Sequence, residues 1–423
     1  MELSDINLLS RDIFVERVPH EWFAHLRQHA PVYKHPEPDG PGFWVFSRHE
    51  DVSILNRAWE KLSSDQTLGG VVGMEELTPE QQAVQDGMNG AGAGKMMLTI
   101  DPPEHTRYRK LVNRGFTPRV IRDLEDHLRE SSAKIIDRAL AKDDGRTDFV
   151  TDIAAELPLE AIAEFLGVPY EDRHKLFEWS NRMIGSDDPE YAISDDATNQ
   201  ARFEMYLYAN SLGADRRQNP RDDIVSKLIH GEVDGDRLSE TDFDLFFLLL
   251  AVAGNETTRN ALSHGLAALL DNPTQYQELV EDPSIIGKTA IDEVLRYGSP
   301  VMYFRRNVTE DMEYQGHHIA KGDKVSLWFI SANRDETVFD DPYTFDIHRD
   351  PNPHVAFGGG GPHHCIGTHL ARMEMKVLFE ELVARVPRIE KLAEPSRLRS
   401  NFINGIKHLP VQLMPAKSPA YTM

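Results

Sequence analysis

The only cysteine of the chain lies in a segment that could support metal or nucleophile chemistry. Cys365 follows a run of four glycines and a proline, residues 358–362, and this composition predicts an irregular loop. After Cys365, apolar residues recur at three- to five-residue steps, which predicts a helix with one buried face: Ile366, Leu370, Met373, Val377 and Leu382. The thiol would lie at a helix N-terminus, where free N–H groups and the helix dipole lower its pKa. Such a thiolate is a nucleophile or a metal ligand; the plainer alternative is a buried structural cysteine.

A second candidate group is the segment Asp101–Lys110, where two prolines followed by an acid predict the start of a helix. His105 and Arg109 are four residues apart and would project from one face of that helix. Two donors side by side suit an anionic ligand such as a carboxylate or a phosphate. The alternative is a solvated basic helix face.

A third candidate group lies in the middle of a long predicted helix, from Ser239 to Asp271. Ser239 and Asp242 form a capping-box-like start, and Asn272-Pro273 predicts the end. The first half is apolar on nearly every side, so the helix should be buried. A glycine and an acid are costly there, yet the sequence reads Ala253-Gly254-Asn255-Glu256-Thr257-Thr258. The hexapeptide is either functional or a kink with satisfied polar side chains.

Glu293 and Arg296 follow on another predicted helix, which ends at Gly298 and Pro300. Pairs of this spacing are common on helix surfaces and carry little information alone. Their order is more specific: the acid–threonine segment comes first, then Glu-x-x-Arg, then Arg349, then the cysteine loop.

This ordered set resembles the cytochrome P-450 family of haem-thiolate monooxygenases, over about residues 15–413. In the cysteine loop the resemblance rests on Arg349, His354, Phe357, Gly361, His363, Cys365 and Gly367. The loop departs from the common form of the family, because Phe357 stands eight rather than seven positions before Cys365. One extra glycine accounts for the difference.

The resemblance implies a set of residue roles. Haem b would be held by Cys365 as axial iron ligand and by His105, Arg109, Arg306 (with its neighbour Arg305 as the alternative), His363, Phe357, Ala253, Gly254 and Gly367. Thr257 and Glu256 would be the catalytic pair that delivers protons. A buried structural triad would consist of Glu293, Arg296 and Arg349. The substrate pocket would be lined by Met97, Val252, Ala253, Val301, Met302, Phe402 and Ile403.

The implied fold is a single mainly α domain over residues 1–423, the triangular cytochrome P-450 fold with small β-sheets. Its helical core would occupy residues 100–298 and 365–386, with β-structure near the N-terminus and at 301–332. Local patterns predict a helix over 21–29, strands over 32–34, 43–46 and 325–330, and hairpin turns at 314–316 and 321–323. The glycine-rich stretch 66–98 and the polar, turn-rich stretch 181–190 match lids over the pocket.

Composition restricts the possible partners. Lys and Arg number 46 against 69 Asp and Glu, a net charge of −23, which disfavours binding to nucleic acid or anionic lipid. The N-terminus has neither a basic start nor a long apolar run, so we expect a cytoplasmic protein without a membrane anchor. A monomer is expected.

The implied activity is insertion of one oxygen atom of O2 into a C–H bond of a small hydrophobic substrate. Segments 187–191, 255–260 and 401–407 look most like bacterial hydroxylases of sterol side chains and methyl-branched lipids, with terpenoid hydroxylases close behind. Since no flavin or nicotinamide motif is present, electrons would come from a ferredoxin and ferredoxin reductase. A basic patch of Arg107, Lys110, Arg114 and Arg372 could steer the ferredoxin. The alternatives are a haem sensor without turnover and a non-haem thiol enzyme with His363 as base.

Overall fold

The computed structural model describes residues 1–79, 81–83, 96–185, 187–191, 194–221, 223–233 and 235–415. Within these ranges the helices are α1 (Arg11–Glu16), α2 (His20–His29), α3 (His49–Leu55), α4 (Glu104–Val112), α5 (Pro118–Arg122), α6 (Glu125–Ala141), α7 (Glu156–Phe165), α8 (Arg173–Ile184), α9 (Asp195–Gln218), α10 (Ile224–His230), α11 (Glu240–Asp271), α12 (Pro273–Glu281), α13 (Ile291–Gly298), α14 (Phe329–Ala332) and α15 (Thr368–Arg385). The mainly α fold class is confirmed.

The strands are β1 (Val32–His35), β2 (Phe43–Phe46), β3 (Leu62–Ser63), β4 (Arg146–Asp148), β5 (Tyr303–Val308), β6 (Met312–Tyr314), β7 (His317–Ile319), β8 (Lys324–Trp328), β9 (Arg388–Lys391), β10 (Ser396–Arg397), β11 (Ile406–His408) and β12 (Pro410–Met414). The largest sheet has the order β1-β2-β8-β5-β3, in which only the β2–β8 pair is parallel. The two regions predicted to be β-rich therefore join in one sheet. The sheet brings α3, which follows β2, close to β5.

Two local predictions are wrong at their ends. The strand predicted over 325–330 stops at Trp328, because Phe329 and Ile330 turn into the short helix α14 and are buried there. The turn-rich stretch predicted from 181 begins later, since α8 continues to Ile184. Asn181 is held inside that helix by a hydrogen bond from Arg259 at 2.9 Å.

The long helix α11 forms the centre of the helical core. Its start is a capping box, in which the Asp242 N–H donates to the Ser239 hydroxyl at 3.1 Å and the Ser239 N–H donates to Asp242 at 3.0 Å. Its 32 residues span about 48 Å at 1.5 Å per residue. Buried side chains occur all around its first half, as predicted for a helix enclosed by others.

No helix in the described part of the chain combines the length and the apolar character needed to cross a bilayer. The lid predicted over 66–98 is described only in part. Gly87, Gly90, Gly92 and Gly94 lie outside the described residues.

Candidate cofactor and substrate site

One cavity brings the predicted site segments together. Its walls come from α4, the middle of α11, β5, the loop before α15 and the first turns of α15, and it holds about 1390 Å³ of empty space, counting its open mouth. The titratable side chains of the lining belong to α4, β5, the loop and α15, whereas α11 and residues 295–301 contribute only uncharged side chains. The cavity therefore has a polar side and an apolar side.

The loop before Cys365 consists of glycines in the left-handed region of backbone space. Gly358, Gly359, Gly360 and Gly361 have φ of 96°, 63°, 107° and 82°, which residues with a side chain rarely adopt. The loop folds back so that the N–H of Cys365 donates to the carbonyl of residue 357 at 3.0 Å. The helix predicted after it begins at residue 368. The glycines thus allow a compact reversal directly before the thiol.

The sulfur of Cys365 faces the open space of the cavity, where it is surrounded by protein but not covered by it. Burial raises the pKa of this thiol, although the Gly367 N–H, the charges of Arg109 and Arg372 and the Thr368 hydroxyl act in the opposite direction. The N–H group at the helix start therefore acts in the predicted direction, but the predicted net lowering of the thiol pKa is wrong for the protein without a cofactor. The cost of desolvating an anion exceeds the stabilisation that the helix end provides.

Two histidines from different elements meet in the cavity. His105 of α4 and His363 of the glycine loop have ring centroids 4.3 Å apart. Within the described residues, His105 Nδ1 and His363 Nε2 are buried without a hydrogen-bond partner. Burial together with nearby arginine charge lowers the pKa of His105 to about 4 and that of His363 far below its ordinary value. Both rings are therefore neutral near pH 7, and each has one N–H to offer to an acceptor.

Two arginines add positive charge on the same side of the cavity. Arg306 is 3% exposed and donates to the Arg305 carbonyl and to Asn56 Oδ1, both at 2.8 Å, while Arg109 donates to the Pro362 carbonyl at 3.1 Å. Among the described residues, neither guanidinium is paired with a carboxylate. Burial lowers the pKa of Arg306 to about 10, so it stays cationic near neutral pH. Buried cations with only neutral acceptors are costly, which indicates that an anion completes this site.

The alternation of β5 decides which of two neighbouring arginines reaches the cavity. Phe304 and Arg306 point into it, whereas Arg305 points to the other face of the strand. There Arg305 donates to the Gly73 carbonyl at 3.0 Å and to Asn307 at 2.9 Å. Arg306 is thus the cavity residue of the pair.

The predicted catalytic residues of α11 face different directions. Thr257 lines the cavity, and its hydroxyl donates to the carbonyl of Ala253 at 2.7 Å. Glu256 lies outside the lining, is 1% exposed and pairs with Arg259, and its Oε1 has no partner among the described residues. Burial raises the pKa of Glu256, and the Arg259 charge offsets only part of that shift. A side chain at position 254 would collide with Ile162, so the glycine there permits close packing of α7 on α11.

Three of the predicted substrate-pocket residues line the cavity: Met97, Ala253 and Val301. The structure places the other four outside the lining: Val252, Met302, Phe402 and Ile403. Met302 belongs instead to a core cluster with Trp328, and Val252 packs against the helical core.

Phe402 and Ile403 lie behind the cavity wall rather than in it. The Phe402 ring packs 5.8 Å from that of Phe304, and Ile403 forms a bridge to Val301, so both support residues that do line the cavity. The sequence could not show that the side chains of Phe304 and Val301 stand between these two residues and the cavity.

The side chains of Glu293, Arg296 and Arg349 meet in the interior. Arg296 and Glu293 are fully buried and form two hydrogen bonds of 2.7 Å, and Arg349 donates to Glu293 at 3.2 Å. Arg296 also donates to the Asn333 carbonyl at 2.8 Å, and Asn333 Oδ1 accepts the N–H of Val355 at 2.7 Å. The cluster is thereby connected to the segment that leads into the glycine loop.

The sequence analysis missed two further cavity residues. Glu374 of α15 is 1% exposed, its Oε2 has no partner in the described structure, and burial raises its pKa well above the ordinary value. It lies four residues after Leu370 on the face of α15 that turns to the cavity, a spacing that could have identified it. The second is Asn56, at the end of α3, and nothing in its local sequence marks it.

The lining fits the haem that the resemblance implies. At one side, two cationic guanidiniums and two unpartnered imidazole nitrogens can bind the two propionates of haem. Cys365 supplies a sulfur ligand in the same cavity, where a metal cation would offset the cost of the buried thiolate.

The turn between α8 and α9 is tied by charged side chains to the C-terminal hairpin. Asp188 is 1% exposed and pairs with Lys407 at 3.0 Å. The ring of His408 lies between Glu190, at 2.8 Å, and Asp148, at 2.6 Å. These contacts join a segment that resembles a lid to the sheet formed by β10 and β11.

The His408 contacts predict a pH-dependent stability. Burial opposes the charged form, but the hydrogen bonds to Glu190 and Asp148 raise the pKa of His408 above 6.5. Their contribution is fully present below pH 6.5 and is lost as the pH rises through the raised pKa. We expect His408→Gln to lower the unfolding temperature by roughly 2 °C at pH 6 and to leave it unchanged at pH 9, as for a partly exposed ion pair. His318→Gln, from the exposed pair with Glu313, is the control; an equal loss at both pH values would contradict the assignment.

Comparison with known proteins gives a consistent result. A family model for cytochrome P-450 matches residues 175–386. A steroid C26-monooxygenase of Mycolicibacterium smegmatis is 42% identical over 96% of this chain and 93% of its own length. A methyl-branched lipid omega-hydroxylase of Mycobacterium tuberculosis is 40% identical over 97% of this chain and 95% of its own. Among solved structures, a cytochrome P-450 of Mycobacterium marinum in complex with pseudoionone superposes with a TM-score of 0.87 at 37% identity, covering 96% of this chain and 98% of that one.

Proposed function

The chain belongs to the cytochrome P-450 family, and from this premise we propose that it hydroxylates a terminal methyl group of a sterol side chain or of a methyl-branched lipid. As a member of the family it is a monooxygenase that acts on apolar substrates and carries haem with a thiolate ligand. A sensor without turnover is not favoured, because its curated relatives are enzymes.

The observation that carries the substrate class is the uncharged side of the cavity. The side chains that α11 and residues 295–301 contribute include no carboxylate, ammonium or guanidinium group, so an apolar chain is desolvated there without leaving a charge unpaired. The names of two relatives refer to C26 of a steroid and to the omega position of a methyl-branched lipid, and both are positions at the end of an aliphatic chain.

Within this proposal the polar side of the cavity holds haem b. Cys365 would supply the thiolate that binds its iron, and His105, Arg109, Arg306 and His363 would bind the propionates. Further contacts to the cofactor come from Phe357, Ala253, Gly254 and Gly367. When bound, haem activates O2 at its iron, and the thiolate donates electron density that favours O–O cleavage.

The remaining work of the protein is to exclude water and to move protons. Hydroxylation places one oxygen atom of O2 in a C–H bond and releases the other as water, with two electrons and two protons consumed. The Thr257 hydroxyl is a hydrogen-bonding group of α11 at the cavity, and the buried carboxyl of Glu256 supplies protons from another face of the helix. Burial raises the pKa of Glu256, which favours the protonated form of this carboxyl.

Thr257→Ala is expected to uncouple the reaction. Without the hydroxyl, the protons are no longer directed to the oxygen atom that must leave as water, and both oxygen atoms leave together as hydrogen peroxide, which takes up the same two electrons and two protons. A positioned proton donor typically contributes about 10²–10⁴-fold, so product formed per NADH should fall at least about tenfold while peroxide per NADH rises. Thr257→Ser keeps the hydroxyl and serves as the control. Unchanged coupling in Thr257→Ala would remove Thr257 from the proton path.

A spectral binding screen followed by product analysis tests the substrate class. The probes are a sterol with an intact side chain, the same ring system without that side chain, a methyl-branched fatty acid and a terpenoid ketone. We expect a shift of the Soret band with the first and third probes, and mass spectrometry should place the hydroxyl on a terminal methyl group. Turnover of the terpenoid alone, or equal binding of the sterol without its side chain, would contradict the proposal.

We further propose a ferredoxin, with its reductase, as the electron donor. Of the predicted basic patch, Arg107 and Lys110 line a different cleft. Arg372 lies beside Lys288, His369 and Lys376 in a surface cleft next to α15, the helix that follows the cysteine loop, and it pairs there with Asp292 at 2.8 Å. A cationic cleft on an acidic protein attracts an acidic partner, and this attraction weakens with salt. Reduction by an acidic ferredoxin should therefore slow as ionic strength rises, and a rate that is independent of salt would count against the cleft.

A further inference from the structure

The side chain of Asn56 connects the end of α3 with the glycine loop before Cys365 and with Arg306. It is 3% exposed at the C-terminal end of α3 and lines the cavity. Its amide nitrogen donates to the carbonyls of Gly358 and, at 2.9 Å, of Gly360. Its amide oxygen accepts from Arg306 at 2.8 Å. Both N–H groups and the oxygen of the amide are thus engaged between the cysteine loop and the cavity arginine.

The loop and the end of α3 are also packed too closely to move independently. A side chain at Gly361 would place its Cβ 2.6 Å from the carbonyl oxygen of Asn56, and one at Gly360 would reach 2.6 Å from the Arg57 guanidinium. Arg57 itself donates to the Gly359 carbonyl at 3.0 Å. The loop is one residue longer than the common form of the family. The longer loop packs against Asn56 and Arg57, whose side chains donate hydrogen bonds to three successive glycine carbonyls.

We propose that Asn56 is a positioning residue that fixes the Cys365 loop and Arg306 relative to each other. It would thereby keep a constant distance between the iron ligand and a propionate-binding group. Asn56 is placed on α3, an element that carries no cofactor ligand, and β2, β8 and β5 set its position through the sheet. This inference rests on the proposed roles of Cys365 and Arg306.

A matched control exists one strand position from Arg306. Asn307 is also 3% exposed, its amide nitrogen donates to the carbonyls of Gly70 and Ser63, and its amide oxygen accepts from Arg305. It therefore has the same pattern of one arginine and two carbonyls, but it faces away from the cavity. Loss of a buried amide costs folding stability at either site, whereas only Asn56 contacts the cysteine loop.

The test compares Asn56→Ala, Asn56→Asp and Asn307→Ala in haem-loaded protein. The readouts are the fraction of the reduced carbon-monoxide spectrum at the strongly red-shifted thiolate position and the rate of haem transfer to apomyoglobin. Removing a group that orients a metal ligand costs about 10- to 100-fold in metal affinity. We expect Asn56→Ala to lose haem about 10-fold faster or more and to lose much of the thiolate signature, with Asn307→Ala close to wild type in both.

Asn56→Asp separates the contact with the glycine loop from the contact with Arg306. It also provides a test if the alanine variant does not fold. Its carboxylate still accepts from Arg306 but cannot donate to the two glycine carbonyls. The thiolate signature should therefore fall, while the rate of haem loss stays within about threefold of wild type. That is well under the roughly 10-fold faster loss expected when both contacts are removed. Wild-type signature in both Asn56 variants, or an Asn307→Ala variant that behaves like them, would overturn the inference. Absence of the signature in the unmodified protein would overturn the proposed function as well.

Discussion

Cys365→Ser is expected to abolish the strongly red-shifted Soret band of the reduced carbon-monoxide complex. A serine hydroxyl is too weak an acid to serve as the anionic ligand, and its oxygen donates far less electron density than a thiolate sulfur. Loss of groups around a metal ligand already costs about 10- to 100-fold in activity, so loss of the ligand should reduce hydroxylation by more than about 100-fold. Difference spectroscopy and product analysis on haem-supplemented protein measure both effects.

The control for Cys365→Ser is Thr368→Val in the same loop–helix junction. Thr368 donates its hydroxyl to the Cys365 carbonyl at 2.8 Å without offering a ligand to the cavity. The Thr368 hydroxyl favours the thiolate but is not itself a ligand, so this variant should keep the strongly red-shifted band that the serine variant loses. A serine variant that kept the red-shifted band would show that the iron ligand is another side chain, and the proposed chemistry would fail with it.

Arg296→Leu is expected to reduce the free energy of unfolding by about 3–5 kcal/mol, the usual result of removing one partner from a buried ion pair. Arg296 and Glu293 are both fully buried, so the carboxylate of Glu293 would remain in the interior without its main counter-charge. The substitution also leaves the carbonyls of Asn333, Pro342 and Thr344 without the guanidinium donor. Urea titrations followed by circular dichroism measure the change.

Arg388→Leu provides the comparison for the buried pair. Arg388 pairs with Glu390 at 2.6 Å, a shorter distance than in the buried cluster, yet its side chain is 70% exposed. Its removal should change stability by no more than about 0.5 kcal/mol. Similar effects of the two substitutions would mean that Arg296 does not hold the core together.

Short-range patterns in the sequence located most of the site. The capping box of Ser239 and Asp242, the four-residue spacing of His105 and Arg109 and the glycine run before Cys365 all depend on neighbours in the chain. The physical causes act over one or two turns of backbone, so the sequence contains them directly. For the same reason the helix after Cys365 could be predicted to within a few residues of its start.

The remaining features depend on which face of an element is turned inward. Patterns alone could not choose between Arg305 and Arg306, because neighbouring side chains of β5 point to opposite faces of the sheet. The pairing of β5 with β8 decides which face is turned to the cavity. Glu256 appeared next to Thr257 in the chain, but a step of one residue turns the side chain by about 100° around a helix. Burial likewise overrode the helix-end effect on the Cys365 thiol, because desolvation depends on the whole surrounding protein.

The long distance in the chain between Asn56 and its acceptors has a consequence for biosynthesis. Asn56 leaves the ribosome early, and Gly358 follows 302 residues later. Until then the nascent chain must carry the apolar first half of α11 without the loop that closes one wall over the cofactor. The cofactor pocket is therefore one of the last parts of the protein to be completed during synthesis.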